Sequence, residues 1–256
     1  MIGDVVGEPG LQALEEGLPK IIAENSVDIA IVNGENAAAG FGLDDAAFAR
    51  ILAAGADVVT SGNHVWEQRD FWQTLETDAR VLRPANYPPP AAGRGWLRIE
   101  KAGAAWVVIN AQGRELMTPI DCPFRGFDQI IAAACPADAP SAIVLVDFHA
   151  ESTREKESFA YHADGRAAVV AGTHTHVQTA DERVLPNGAA YITDLGMTGV
   201  LGAVLGMDAQ ICMDRARRQV LYRMEPAAQG SDAPKIQGII AEIDADSGKA
   251  LSIRRI

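Results

Sequence analysis

Basic residues are scarce in this chain: 22 Lys and Arg stand against 34 Asp and Glu, which leaves a formal net charge of −12. Following a nucleic-acid backbone needs clustered cations to neutralise successive phosphates, so neither DNA nor long RNA is an expected partner. A small phosphate ester remains open, because bound divalent cations would invert the local field. Cysteine is also rare, and Cys122, Cys135 and Cys212 lie far apart in no metal-type spacing. That argues against a disulfide framework or zinc knuckle and fits a reducing cytoplasm. Long hydrophobic runs are missing. The longest, residues 195–207, is broken by four glycines and falls short of the ~20 residues a spanning helix needs. Neither a membrane anchor nor a leader pattern is expected. There are no internal repeats or low-complexity tracts, and assembly into a homo-oligomer is left open.

What the chain does have is apolar residues in short bursts. They make up 48% of its 256 residues, enough for one well-buried core. No linker divides it, so residues 1–256 are expected to form one α/β domain. The bursts end in polar, metal-competent side chains. Residues 28–32 lead into Asn33-Gly34-Glu35-Asn36, and 56–60 into Ser61-Gly62-Asn63-His64. Residues 142–146 lead into Asp147-Phe148-His149, and 167–171 into Gly172-Thr173-His174-Thr175-His176. Asp4 follows only Met1 and Ile2, which reads as a clipped first strand where ~5–6 residues are usual. In α/β folds the carboxyl ends of strands are where sites are built. If the last of these strands runs on through His176, its two imidazoles face one side of the sheet.

Between the bursts, Leu11, Leu14, Leu18, Ile21 and Ile22 keep helical spacing, with Pro19 expected to kink or split the helix. Asp44 is placed to cap, and Gly55 to end, a helix carrying Phe48, Ile51 and Leu52. A further helix is expected to carry Trp66, Trp72 and Leu75. Hairpins are expected at 96–100 with 105–110, turned at Ala102-Gly103, and at 236–243 with 250–256. Residues 111–140 are irregular and read as a substrate-side loop. Ser152 and Glu155 make a capping-box pattern.

A dinuclear metal centre needs a bridging carboxylate, terminal histidines or carboxylates, and positions open to substrate. In that scheme Glu35 bridges, Asp4 and His176 hold one ion with the Asn36 side chain, and Asn63, His149 and His174 hold the other. Singly, each residue has a plainer role. Asp4 or Asn63 would be a turn or helix cap, Glu35 a solvated carboxylate, and His149 a buried imidazole bonded to backbone. Chance does not readily place such groups at the ends of successive strands, so the joint reading prevails. His162 lacks a strand before it, and the tryptophans read as packing.

Asn33-Gly34-Glu35-Asn36, Gly62-Asn63-His64, Asp147-Phe148-His149-Ala150-Glu151 and Gly172-Thr173-His174-Thr175-His176 resemble the calcineurin-like metallophosphoesterases, specifically their YmdB-type branch. The likeness runs over nearly the whole chain and includes residues 191–199. It implies a four-layer α/β/β/α sandwich, two transition-metal ions, usually iron or manganese, and phosphodiesterase activity on 2′,3′-cyclic nucleotides. It also implies that His64 is the proton donor. The expected mechanism is in-line attack on phosphorus by a metal-activated hydroxide, with His64 giving its proton to the leaving ribose oxygen. The chain departs from the wider superfamily at two places. Val6 stands where the first motif has a histidine, and Val65 stands where an acid follows Gly-Asn-His. The orienting partner of His64 is therefore left open, with Glu67 a candidate. Amidohydrolases carry their His-x-His after the first strand, so the late position here disfavours that chemistry. A phosphomonoesterase, or a metal-bound regulatory or scaffold protein with incidental turnover, is the alternative.

Overall fold

The computed structural model describes residues 1–136, 141–228 and 233–256. In chain order its elements are β1 (Asp4–Val5), α1 (Gly7–Asn25), β2 (Ile31–Asn33), α2 (Asp45–Ala53), β3 (Val58–Thr60), α3 (Trp72–Thr77), β4 (Trp96–Lys101), β5 (Ala104–Gln112), α4 (Pro123–Ala134), β6 (Ala142–His149), α5 (Thr153–Ala163), β7 (Val169–Thr173), β8 (Arg183–Val184), β9 (Ala190–Ile192), β10 (Met197–Thr198), α6 (Ala209–Arg218), β11 (Ile239–Ile243) and β12 (Ala250–Arg255).

A central mixed sheet has the order β4-β5-β6-β7-β9-β8, parallel from β5 to β9 and antiparallel at both edges. Its middle strands are buried on both faces, which is why they read as continuous Val, Ile and Leu. Alternation along β6 sorts the two faces. Val144, Val146 and Phe148 pack with Phe127 and Phe159 from α4 and α5. Ile143 and Leu145 pack with Ile31, Val58 and Ile192. Asp147 and His149 continue that second set, so the pleat turns them toward β2 and β3. Phe148 stacks on Phe159 with ring centroids 4.2 Å apart, and burying each such ring contributes roughly 1.5–3 kcal/mol. On the far side β2 pairs in parallel with β3, β1 pairs with β10, and Ile2 bridges both Val32 and Gly238. α1 and α2 cover these short strands through Leu14, Leu18, Phe48 and Ile51.

Both expected hairpins form, the first turned by Ala102 and Gly103 at φ 51° and 80°. Other expectations need correction. Pro19 does not split α1, which runs unbroken; packing of Leu14, Leu18 and Ile22 into one core outweighs the hydrogen bond lost at the proline. The stretch 111–140 is not all loop, because it contains α4. Phe127, Ile130 and Ala134 share a buried face there, and Pro123 occupies the first turn, where its missing N–H costs nothing. Residues 137–140 of that stretch lie outside the described residues. Trp66 precedes α3 in a turn, packed edge-on against Trp72 and Tyr87. Ser152 accepts from Glu155 N–H at 3.2 Å, but Glu155 completes no box. Its carboxylate instead accepts from the backbone N–H groups of Arg114 and Glu115, tethering that loop to α5.

A cavity of about 350 Å³ sits at the amino-terminal ends of β2 and β7, lined by Ile22, Ile31, Trp106, Val169 and Ile239 among others. None of the metal-competent groups singled out above lines it. Among the described residues, no helix is long and apolar enough to cross a membrane.

Candidate metal centre

β6 delivers His149 to the interior, where it is wholly buried. Its Nδ1 lies 2.9 Å from Thr173 Oγ1, and Thr173 gives its own proton to Asp147 Oδ1 at 2.6 Å. The hydroxyl must therefore accept from Nδ1–H, which leaves Nε2 as the bare nitrogen of the neutral ring. Nε2 faces Glu35 Oε1 at 3.0 Å and Asn63 Oδ1 at 3.1 Å. Three acceptors converge with no donor among them. Neighbouring ligands of one cation with bonds of ~2.1 Å lie ~3 Å apart, so the set fits a metal ion. With protons alone, one takes that place. Burial by itself would lower His149, but the charges of Glu35, Asp4 and Asp147 raise it to about 9. Burial would likewise raise Glu35, yet His149 beside it holds its carboxyl below the usual range. A divalent cation would displace the shared proton.

β7 stops at Thr173, so strand alternation does not bring in the other two imidazoles. His174 and His176 instead adopt φ of 97° and 62°, a region uncommon for residues other than glycine. One nitrogen of His174 comes within 4.8 Å of the ligand atoms of Glu35 and His149. Its Nε2 is 3.2 Å from Glu151 Oε2. Burial, then the charge of His149, lowers His174 to about 3. The ring is therefore neutral, with its Nε2 beside the Glu151 carboxylate. His176 donates Nδ1–H to the Leu205 carbonyl at 3.0 Å. That leaves its Nε2 unprotonated, 3.8 Å from Asp4 Oδ1. Asp4 Oδ2 accepts from His174 N–H at 3.3 Å, whereas Oδ1 is buried without a hydrogen-bond partner. Burial lifts the Asp4 carboxyl above the ordinary range. An orphaned carboxylate oxygen near an unprotonated imidazole nitrogen, which the Asn36 amide also approaches, is a second candidate place for a cation.

The structure thus gathers Glu35, Asn63, His149 and His174 into one group and sets Asp4 and His176 next to it. Asn36 presents its amide nitrogen to His176 Nε2 at 3.1 Å, a donor where the sequence scheme has a ligand. His64 stands at the rim with its side chain 27% exposed, so it is reachable from solvent. Its Nδ1 is 3.3 Å from Glu67 Oε1, and Phe41 packs edge-on at 5.1 Å between centroids. Glu67 therefore occupies the place beside the imidazole that Val65, buried in the α1 and α2 core, does not. Val6 packs on Met197 and Met207.

Sequence reasoning overlooked the groups behind the donors. The Asp147 carboxylate accepts from Asn33 Nδ2 at 3.0 Å, Thr60 Oγ1 at 2.5 Å and Thr173 Oγ1, pinning β2, β3, β6 and β7 together. The signal was present, since Asn33, Thr60 and Thr173 each close a strand and Asp147 shares the His149 face. Gly62 was overlooked too: a Cβ there would collide with Glu35 Oε2 and the His149 ring. Protein purified without chelator is expected to carry transition metal, and His149→Ala and His174→Ala each to lose mainly one ion. Elemental analysis finding only traces in the wild type, with no uptake on reconstitution, would sink this reading.

Fold and donors together define an α/β protein with a candidate carboxylate and imidazole metal centre at the carboxyl edge of its sheets. The chain belongs to the YmdB-like protein family, whose family model matches residues 1–256. It is 40% identical over 255 residues to the 2′,3′-cyclic-nucleotide 2′-phosphodiesterase of Bacillus subtilis (strain 168), covering 100% of this chain and 94% of that one. The crystal structure of a hypothetical protein from Thermus thermophilus matches with a TM-score of 0.91 at 37% identity, over 100% of this chain and 96% of that one. That of a novel phosphatase from Mycoplasma pneumoniae matches with a TM-score of 0.91 at 30% identity, over 100% and 90%.

Proposed function

We propose that this chain is a two-metal phosphodiesterase that opens 2′,3′-cyclic nucleotides to nucleoside monophosphates. The observation that carries it is the convergence of His149 Nε2, Glu35 Oε1 and Asn63 Oδ1 with no donor between them. The full-length likeness to a cyclic-nucleotide phosphodiesterase supports the substrate class. Glu35, Asn63, His149 and His174 would hold one ion, and Asp4 and His176 the other, with Glu35 between them. An all nitrogen and oxygen donor set suits iron or manganese. When bound, the ions supply positive charge that offsets what grows on the phosphoryl oxygens. His64 would give its proton to the leaving ribose oxygen, with Glu67 holding Nδ1–H and the Phe41 edge limiting the swing of the ring.

The reading extends to the whole molecule. Three separate apolar clusters, one under α1 and α2, one between the strand layers and one under α4 and α5, support a four-layer α/β/β/α sandwich. Bridges from Ile2 to Val32 and Gly238 join the two ends of the chain and support a single domain over 1–256. The scattered, unpaired cysteines support a reducing, cytoplasmic setting.

The test is kcat/KM with Mn²⁺ or Fe²⁺ across 2′,3′-cyclic nucleotides, 3′,5′-cyclic nucleotides, phosphomonoesters and polymeric RNA. The first class is expected to lead, with weak base preference. A clear lead for phosphomonoesters would make the protein a phosphatase, and no turnover in any class would favour a regulatory role.

A further inference from the structure

Two buried charges outside the donor set grip the loop that carries two of the donors. Lys156, the fourth residue of α5, and Asp194, just past β9, have side chains 1% and 0% exposed, and Lys156 Nζ lies 2.7 Å from Asp194 Oδ2. Buried ion pairs are costly to desolvate and persist where the remaining valences are bonded. The Asp194 carboxylate meets that condition. Its Oδ2 also accepts from Thr175 N–H at 3.1 Å and Thr175 Oγ1 at 2.7 Å, and Oδ1 accepts from Gly196 N–H at 2.8 Å.

Thr175 is the residue between His174 and His176, the two that adopt positive φ. Such backbone costs free energy and survives only where its surroundings over-determine it. Asp4 Oδ2 holds the loop at His174 N–H, the Leu205 carbonyl holds it at the His176 ring, and Asp194 holds its midpoint. The Lys156 stem lies along Gly172, at the end of β7, where a Cβ would press on it.

We propose that Lys156 and Asp194 are positioning residues: a buried clamp on Thr175 that keeps His174 and His176 in the left-handed geometry holding their rings at the metal centre. This rests on the metal-centre reading. Thr175 is the sensitive place to test it, because Thr175→Val removes one bond to Asp194 while leaving the ion pair and every donor intact. Thr175→Ser restores that bond. The double variant Lys156→Met with Asp194→Asn removes both charges together and so leaves neither buried alone.

The experiment is a calorimetric Mn²⁺ titration of the wild type and these three variants, with thermal melts of the metal-free proteins. Thr175→Val and the double variant are expected to bind Mn²⁺ about 10–100-fold more weakly, the usual effect of losing support behind a ligand. Thr175→Ser should bind as the wild type does, and the metal-free melt of Thr175→Val should stay near that of the wild type. If the double variant fails to fold, Thr175→Val against Thr175→Ser decides alone. Folded Thr175→Val with wild-type Mn²⁺ affinity, or a lowered metal-free melt with unchanged affinity, overturns the clamp while leaving the metal centre standing. A wild type that takes up no Mn²⁺ overturns both.

Discussion

Gly62→Ala is expected to fold, to take up no metal, and to lose about 10²-fold or more of its turnover. The effect is large for so small a change because the added methyl has nowhere to go. It would run into Glu35 Oε2 and the His149 ring, both wholly buried and held from behind. Glu35 and His149 are the pair whose 3.0 Å approach marks the place proposed for the first ion. Displacing reacting groups by ~1 Å commonly costs about 10²-fold, and here the metal's own seat is displaced. Gly62 has no positive φ, so alanine meets no backbone strain there. The fold should survive, with near wild-type circular dichroism. Elemental analysis and Mn²⁺ titration check the outcome. A Gly62→Ala protein that binds Mn²⁺ as the wild type does would show that the convergence of Glu35 and His149 is not a metal site.

The second large effect should leave metal untouched. His64→Gln is expected to keep wild-type metal content while turnover of cyclic nucleotides falls by roughly 10²–10⁴-fold, the range for losing general acid help. The geometry separates His64 from the donors. Its ring is part-exposed at the rim, and its Nδ1 turns to Glu67 rather than into the buried group. A substrate whose leaving group needs no proton, such as a p-nitrophenyl ester, should suffer much less. Metal and activity lost in equal measure would make His64 a ligand or a structural group instead. Its backbone N–H lies 3.4 Å from Glu35 Oε2.

Much of the fold was legible because burial on both faces leaves a local trace. The β-branched runs before Asn33, Ser61 and His149 mark strands whose ends meet at one edge, and Ala102-Gly103 marks the turn of its hairpin. Local patterns misled where tertiary packing outweighed them. Pro19 stays inside α1 because the helix face is anchored in the core on either side of it. α4 was hidden because alanines and a glycine dilute its period, and its partner Phe159 lies on another helix.

By itself, the sequence determined which side chains stand at the strand ends, and so the donor types, the acidic surface and the family. Only the tertiary structure decided how those donors are aimed. It turned His149 Nε2 inward through Thr173 and Asp147, and it bent His174 and His176 out of the strand into left-handed backbone. It also set Asp194 and Lys156 behind Thr175. The physical reason is that a hydrogen-bond partner can lie anywhere along the chain: His174 is held by Asp4, 170 residues away, and His149 by Thr173, 24 away. Residue periodicity reports which face a side chain takes, whereas the free nitrogen of an imidazole depends on what the finished fold places behind it.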